Sequence, residues 1–167
     1  AFLPISATIV NDKIYRVLVA QSEKIGVFSH GFTYGGHPVP CAVAIETLKI
    51  YEERDILTHV RQLSGPFQEM LRSFADRPYV GEARGVGLVG ALELVRDKAT
   101  KAPFDAKLGA GTKLHDLALK HGLIIRPIGD TVALCPPMIL TVPDVARIQE
   151  RLGAAMDDFD AWARTVA

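Results

Sequence analysis

Apolar residues recur at intervals of three and four from position 56 onward. Ile56, Val60, Leu63, Phe67, Met70, Leu71 and Phe74 would share one face of a helix. Pro66 falls inside this run and is expected to kink or restart it, because proline has no N–H to give. The same period returns near the end of the chain. There Ile148, Leu152, Ala155, Met156 and Phe159 predict a helix from Val145 to about Trp162, started by Thr141-Val142-Pro143-Asp144 with proline near its first position. A third helix spans Leu108–His121, with Leu114, Leu117 and Ala118 inward and Gly122 just past its end. Two more precede these. Asn11 or Asp12 caps a helix through about Leu18, and Cys41–Glu53 sets Val43, Leu48, Ile50 and Tyr51 among small residues, which suits burial on more than one side.

Period-two and short apolar runs fill the gaps. Residues 5 to 10, bounded by Pro4 and Asn11-Asp12, read as a buried strand. Residues 80 to 95 read as a hairpin turning near Arg84-Gly85, or as one long strand with bulges. Gly85, Gly87 and Gly90 there make a G-x-G-x-x-G match, but a dinucleotide fingerprint needs those glycines to lead from strand into helix. Leu88 to Val95 continues as strand, so the glycines are expected to allow bulges and close packing of a helix on the sheet. Leu123-Ile124-Ile125 predicts a strand, Arg126-Pro127-Ile128-Gly129-Asp130 a turn, and Thr131 to Leu134 the antiparallel partner.

Composition narrows the class. Nearly half of the 167 residues are hydrophobic, enough for a real core, and 19 basic against 19 acidic side chains leave no net charge. Nothing suggests a nucleic-acid groove or an acidic tail. Cys41 and Cys135 lie far apart in apolar surroundings and read as buried thiols of a cytosolic protein, with no disulfide or metal pair expected. No apolar run reaches spanning length and no charged leader precedes the first residues, so neither a membrane segment nor a signal peptide is expected. The opening Ala1-Phe2-Leu3-Pro4-Ile5-Ser6-Ala7 has no methionine and reads as an internal start.

Candidate chemistry concentrates in residues 28 to 40, Phe28-Ser29-His30-Gly31-Phe32-Thr33-Tyr34-Gly35-Gly36-His37-Pro38-Val39-Pro40. The stretch has neither helical nor strand period. It reads either as a rigid loop at a helix N-terminus, where free N–H groups, the dipole and the Thr33 hydroxyl favour an anion such as phosphate, or as an ordinary turn capping the next helix. Phe32 and Tyr34 would line a pocket or pack at a subunit interface. His30 and His37 have no zinc-type spacing and are expected to be satisfied by backbone contacts; His59, His115 and His121 fall on helices, facing solvent or capping. Glu46, Glu52 and Glu53 read as a solvated face. Arg126 follows an apolar strand and precedes a Pro-x-Gly turn, where its planar fork could take a carboxylate, or simply pair with Asp130.

Gly31-Phe32-Thr33-Tyr34-Gly35-Gly36-His37-Pro38, followed by Cys41-Ala42-Val43-Ala44, closely resembles a signature of class III aminotransferases, pyridoxal-phosphate enzymes of fold type I whose ω-aminotransferase subgroup acts on amines. Arg84-Gly85-x-Gly87-Leu88-x-Gly90-x-x-Glu93 and Gly122-Leu123-Ile124-Ile125-Arg126-x-x-Gly129-Asp130 resemble segments of the same family. The resemblance covers essentially the whole chain but less than half of a typical member. It implies an α/β protein: residues 1 to 40 would end a large cofactor-binding domain, 41 to 53 form a linking helix, and 54 to 167 a C-terminal small domain with an antiparallel sheet and covering helices.

What the resemblance implies for function follows residue by residue. Thr33 would hydrogen-bond the cofactor phosphate in the neighbouring subunit, with Phe32 beside the cofactor. Arg126 would bind the substrate carboxylate and Tyr34 line the substrate pocket. The cofactor would be pyridoxal 5'-phosphate, the assembly a homodimer or higher even-numbered oligomer in the cytoplasm, and the reaction amino-group exchange between an amine or ω-amino acid and a 2-oxo acid such as pyruvate. No catalytic residue is assigned within the chain. None of its lysines stands in the family's Schiff-base context, and that lysine is expected upstream of Ala1, so the 167 residues alone are expected to lack transaminase activity. Another reaction on this scaffold, aminomutase or decarboxylase, or a non-enzymatic assembly or ligand-binding module, remains open at this point.

Overall fold

The computed structural model describes residues 3–166. Helix α1 is Asp12–Ile25, α2 Pro38–Glu53 and α3 Ile56–Arg72; strands β1, Val80–Val86, and β2, Val89–Leu94, come next. Helix α4, Ala110–Lys120, precedes β3, Arg126–Ile128, and β4, Thr131–Leu134, and α5, Val142–Ala163, comes last. The chain divides into two compact units, Ala1–Arg54 and Asp55–Ala167.

The second unit is a four-stranded antiparallel sheet in the order β1-β2-β4-β3, with α3 and α4 against the sheet and α5 against both helices. Its core is where the apolar spacing put it. Leu63, Phe67, Met70 and Leu71 of α3, Leu114 and Ala118 of α4, and Leu152, Met156 and Phe159 of α5 are all buried. They close over Leu92, Leu94, Val132 and Leu134, the alternate positions of β2 and β4 that face the helices. α3 passes through Pro66 as one helix, without the expected restart. Gln62, whose carbonyl Pro66 cannot serve, is exposed and can turn that oxygen to water.

The hairpin of residues 80–94 turns at Gly87-Leu88, later than predicted. Val86 pairs with Val89, and Gly87 takes φ +59°, placing glycine at the first central position of a two-residue turn as type II′ requires. The other two glycines serve packing. A Cβ at 90 would lie 2.5 Å from Leu71 Cδ2, and one at 85 would lie 2.5 Å from the Val89 carbonyl and 2.8 Å from Gln68 Oε1. Close approach of α3 to the sheet therefore holds Gly90, and α3 together with the β2 backbone holds Gly85, the packing role expected of them, while Gly87 makes the turn.

The predicted strand at 123–125 is displaced. Those residues connect α4 to the sheet, and Arg126-Pro127-Ile128, read as a turn, form the edge strand β3; the turn itself is Gly129-Asp130, with Gly129 at φ +60°. Asp160 of α5 has a side chain only 8 % exposed, and Arg77 bridges it at 3.0 Å to the exposed Asp157 at 2.6 Å. Burial works against the Arg77 charge, but the two carboxylates outweigh it and hold the guanidinium above its ordinary range.

The first unit differs in kind, since none of the residues of α1 or α2 is buried. Residues 5–10 form no strand and are exposed, Ile9 at 94 %. Among the described residues no strand pairs with them, and extended backbone without a ladder partner does not hold as a strand. α1 begins as predicted, the Asn11 side chain accepting from the Ile14 N–H at 3.1 Å, but runs on past Leu18 to Ile25, where Gly26 at φ +94° ends it. Leu48, at 62 % exposure, is uncovered on α2, against the expectation of burial on several sides. Glu46, Glu52 and Glu53 are exposed, as expected. Cys41 is half-buried and Cys135 exposed, so the reading of both as buried thiols does not hold. Among the described residues no helix is long and apolar enough to cross a membrane.

Candidate active-site elements

Two consecutive tight turns build the loop before α2. The Gly35 N–H donates to the Phe32 carbonyl at 2.8 Å, and the His37 N–H to the Tyr34 carbonyl at 3.2 Å, with Gly36 at φ +70° inside the second turn. Thr33 and Tyr34 are thereby the central residues of the first turn, side chains outward. Phe32 and Tyr34 are 81 % and 82 % exposed and border an open depression of about 580 Å³ beside Pro4, Ile5 and Ser6. Thr33, between them in sequence, does not line it. Its hydroxyl is exposed and makes no hydrogen bond among the described residues, and the N–H groups of Thr33, Tyr34 and Gly36 donate to no backbone partner there.

The helix end itself has nothing left to offer an anion. α2 begins three residues earlier than predicted, at Pro38. Pro38 and Pro40 have no N–H, the Val39 N–H donates to His37 Nδ1 at 3.2 Å, and the Cys41 N–H to the His37 carbonyl at 3.2 Å. An anion held by free N–H groups of the helix terminus is thus not what the local structure supports. The donors that remain are on the turn, a hydroxyl and adjacent amides, in a stretch with no carboxylate between Glu23 and Glu46. That donor set fits a phosphate. His37 is a cap, as backbone satisfaction predicted; His30 packs its ring between Phe28 and Phe32.

Arg126 belongs to the second unit. Following the register across the sheet, Arg84, Ala91, Ala133 and Arg126 make one row on the face turned away from the helices. Three strand spacings, about 14 Å, separate its two arginines. They differ in their partners. Arg84 reaches Glu93 at 2.6 Å and Glu82 at 3.1 Å, and the hydrogen bond to Glu93 leads the effects that hold its guanidinium above the ordinary range. Arg126 is exposed and, among the described residues, bonds to no carboxylate, Asp130 included. One cation of this face is neutralised locally, and the other has no carboxylate partner among the described residues.

Two contacts escaped the sequence reading. His59 and His115 were expected to face solvent or cap. Instead His59 Nε2 lies 2.7 Å from the Leu140 carbonyl and His115 Nδ1 2.6 Å from the Ile125 carbonyl, both half-buried. Only His121, paired with Asp158 at 2.8 Å, sits at a helix end as predicted. Among the described residues no cluster of His, Cys, Asp or Glu is placed to hold a metal ion.

Comparison with known proteins agrees with the three segments that carried the resemblance. The family model described as aminotransferase class-III matches residues 2–156. A probable gamma-aminobutyrate transaminase 3, mitochondrial, of Oryza sativa subsp. indica is 46 % identical over 156 residues, covering 93 % of this chain and 31 % of that protein. A chloroplastic gamma aminobutyrate transaminase 3 of Solanum lycopersicum is 43 % identical over 94 % of the chain and 30 % of its own length. Among solved structures, the omega transaminase of Pseudomonas jessenii in complex with PMP superposes with TM-score 0.84 at 41 % identity, over 95 % of this chain and 35 % of that one. A PMP-bound aminotransferase of Vibrio fluvialis gives TM-score 0.85 at 39 % identity, over 95 % of this chain and 34 % of that one. The chain spans about a third of the curated relatives it matches, and with nearly all of its length inside the family model it belongs to the class-III aminotransferases.

Proposed function

We propose that the full-length protein moves an amino group between an amine or ω-amino acid and a 2-oxo acid such as pyruvate, with pyridoxal 5'-phosphate as cofactor. The observation that carries this reading is the turn at Thr33, a hydroxyl with neighbouring N–H groups unspent by the fold and no carboxylate nearby in sequence. The cofactor, when bound, supplies the electron sink that lets a substrate Cα release its proton. Thr33 donates its hydroxyl to the phosphate of a cofactor held in a second copy of the chain, and Phe32 packs beside it. Arg126 takes the substrate carboxylate in bidentate fashion, and Tyr34 borders the substrate. No residue of this chain is assigned to the proton transfer. The assembly is a homodimer or a higher even-numbered oligomer.

The test uses the full-length protein. Thr33→Ala should weaken cofactor affinity by about tenfold, the worth of one charge-assisted hydrogen bond. Thr33→Ser should keep most of it. Because the contact comes from a neighbour, wild-type cofactor affinity should rise with protein concentration through the monomer–dimer range. Equal affinity in all three proteins, or tight cofactor binding by a monomer, would overturn the assignment.

A further inference from the structure

Arg126 is exposed, and among the described residues its side chain makes no hydrogen bond or ion pair that would hold its direction, so its aim is inherited from the backbone beneath it. That backbone is gripped from one side. β3 is only three residues long and lies at the sheet edge, where a single partner strand steadies it. α4 supplies two further holds, one at each end. At the near end, His115 Nδ1 lies 2.6 Å from the carbonyl of Ile125, the residue directly before Arg126. Ile125 is 3 % exposed, so its carbonyl cannot turn to water. A carbonyl only accepts, hence Nδ1 carries the hydrogen in this contact. At the far end, Gly111 in the first turn of α4 rests on the β3–β4 turn so closely that a Cβ there would overlap the carbonyl oxygen of Gly129.

We infer that α4 is the mount that aims Arg126, with His115 and Gly111 as positioning residues for carboxylate recognition; this rests on the reading of Arg126 given above. Without the His115 donor, the segment 123–126 samples arrangements in which the guanidinium misses its target. The apparent affinity for a carboxylate then falls by the fraction of time the productive arrangement is lost. Substrates without a carboxylate are indifferent to that motion.

The experiment uses the full-length holoenzyme and two amines, L-alanine and 1-phenylethylamine, in single-turnover half-reactions followed by cofactor absorbance. His115→Leu should raise the half-saturating alanine concentration about fivefold, as expected for one lost hydrogen bond, and leave that for 1-phenylethylamine within about twofold. His115→Asn presents an N–H at the same position on the ring's δ side and should restore alanine to within about twofold of wild type. Amide hydrogen exchange across residues 123–130 should quicken in His115→Leu and not in His115→Asn. Should His115→Leu not fold, His115→Asp against His115→Asn makes the same comparison with an isosteric pair, acceptor against donor. Arg126→Ala separates the two levels. If it impairs alanine alone while the His115 variants impair neither amine or both equally, the mount is overturned and the reading of Arg126 stands. If Arg126→Ala impairs the two amines alike, the carboxylate reading falls and the mount falls with it.

Discussion

Arg77→Leu is the substitution whose cost the structure specifies best. Arg77 meets Asp157 at 2.6 Å and Asp160 at 3.0 Å, and the shorter contact invites the larger energy. Burial argues the reverse. The Asp157 side chain is 72 % exposed and recovers water when the arginine leaves, so its pair is worth no more than about 0.5 kcal/mol. The Asp160 side chain is 8 % exposed, and its Oδ1 already has no partner among the described residues. Removing Arg77 strands that carboxylate in the interior. Breaking a buried pair from one side costs about 3–5 kcal/mol, and with Arg77 itself a quarter exposed the lower end, about 3 kcal/mol, is expected. Urea unfolding at neutral pH should therefore give about 3 kcal/mol for Arg77→Leu and under about 0.5 for Asp157→Asn. With Asp160→Asn already present, Arg77→Leu should cost only about 1 kcal/mol, because a buried amide tolerates isolation far better than a charge. Equal effects from Asp157→Asn and Arg77→Leu, or strict additivity in the cycle, would refute the argument that burial rather than distance decides.

Three further outcomes can be checked with the same unfolding assay. Gly85→Ala should cost about 2–3 kcal/mol and Gly90→Ala about 1, because the first meets a backbone carbonyl and the second only the end of the Leu71 side chain. Asp144 receives both the hydroxyl, at 2.5 Å, and the N–H, at 2.9 Å, of Thr141, and these, with Arg147, draw its pKa below the ordinary 3.8. A carboxyl lowered in the folded state stabilises fully above its unfolded pKa, and that stability is lost as pH falls through the folded value. Wild type should thus lose part of its urea midpoint as pH falls below about 4, and Asp144→Asn should flatten that portion of the profile. Arg126→Ala should leave the midpoint within about 0.5 kcal/mol of wild type, and a larger loss would show Arg126 serving the fold instead of a ligand.

Much of this was legible in the order of residues. The spacing of Ile56 to Phe74 and of Ile148 to Phe159 names the faces of α3 and α5 that are buried, since a helical stripe must find cover. Boundaries failed where one residue type has two uses. Pro38 and Pro40 look like loop residues, yet proline is well placed in a helix's first turn. The glycine-rich run places the hairpin turn near Arg84-Gly85, and only the nearness of the Val89 carbonyl and Gln68 to Gly85, and of Leu71 to Gly90, a tertiary fact, assigns those two to packing and the turn to Gly87. Burial of residues 5–10 and of α2 was inferred from their apolar character, but burial depends on a neighbour that these residues lack among those described. Thr33 and Arg126 were found through resemblance to a family. What isolates them physically, an unspent hydroxyl and an arginine without a carboxylate, appears only once the surrounding hydrogen bonds are known. The imidazole of His115 on Ile125 left no local trace at all, because any helical histidine reads the same until its neighbour across the fold is in place.

Pro127 is the middle residue of β3, at the edge of the sheet. The two-residue turn makes Ile128 and Thr131 the bonded pair, so the next residue back, Pro127, points its nitrogen outward along the open flank of β3. A backbone arriving there from another molecule finds a ring where an amide hydrogen would have been. On this flank, which no strand covers among the described residues, sheet growth by accretion is hindered without a charged or bulged edge.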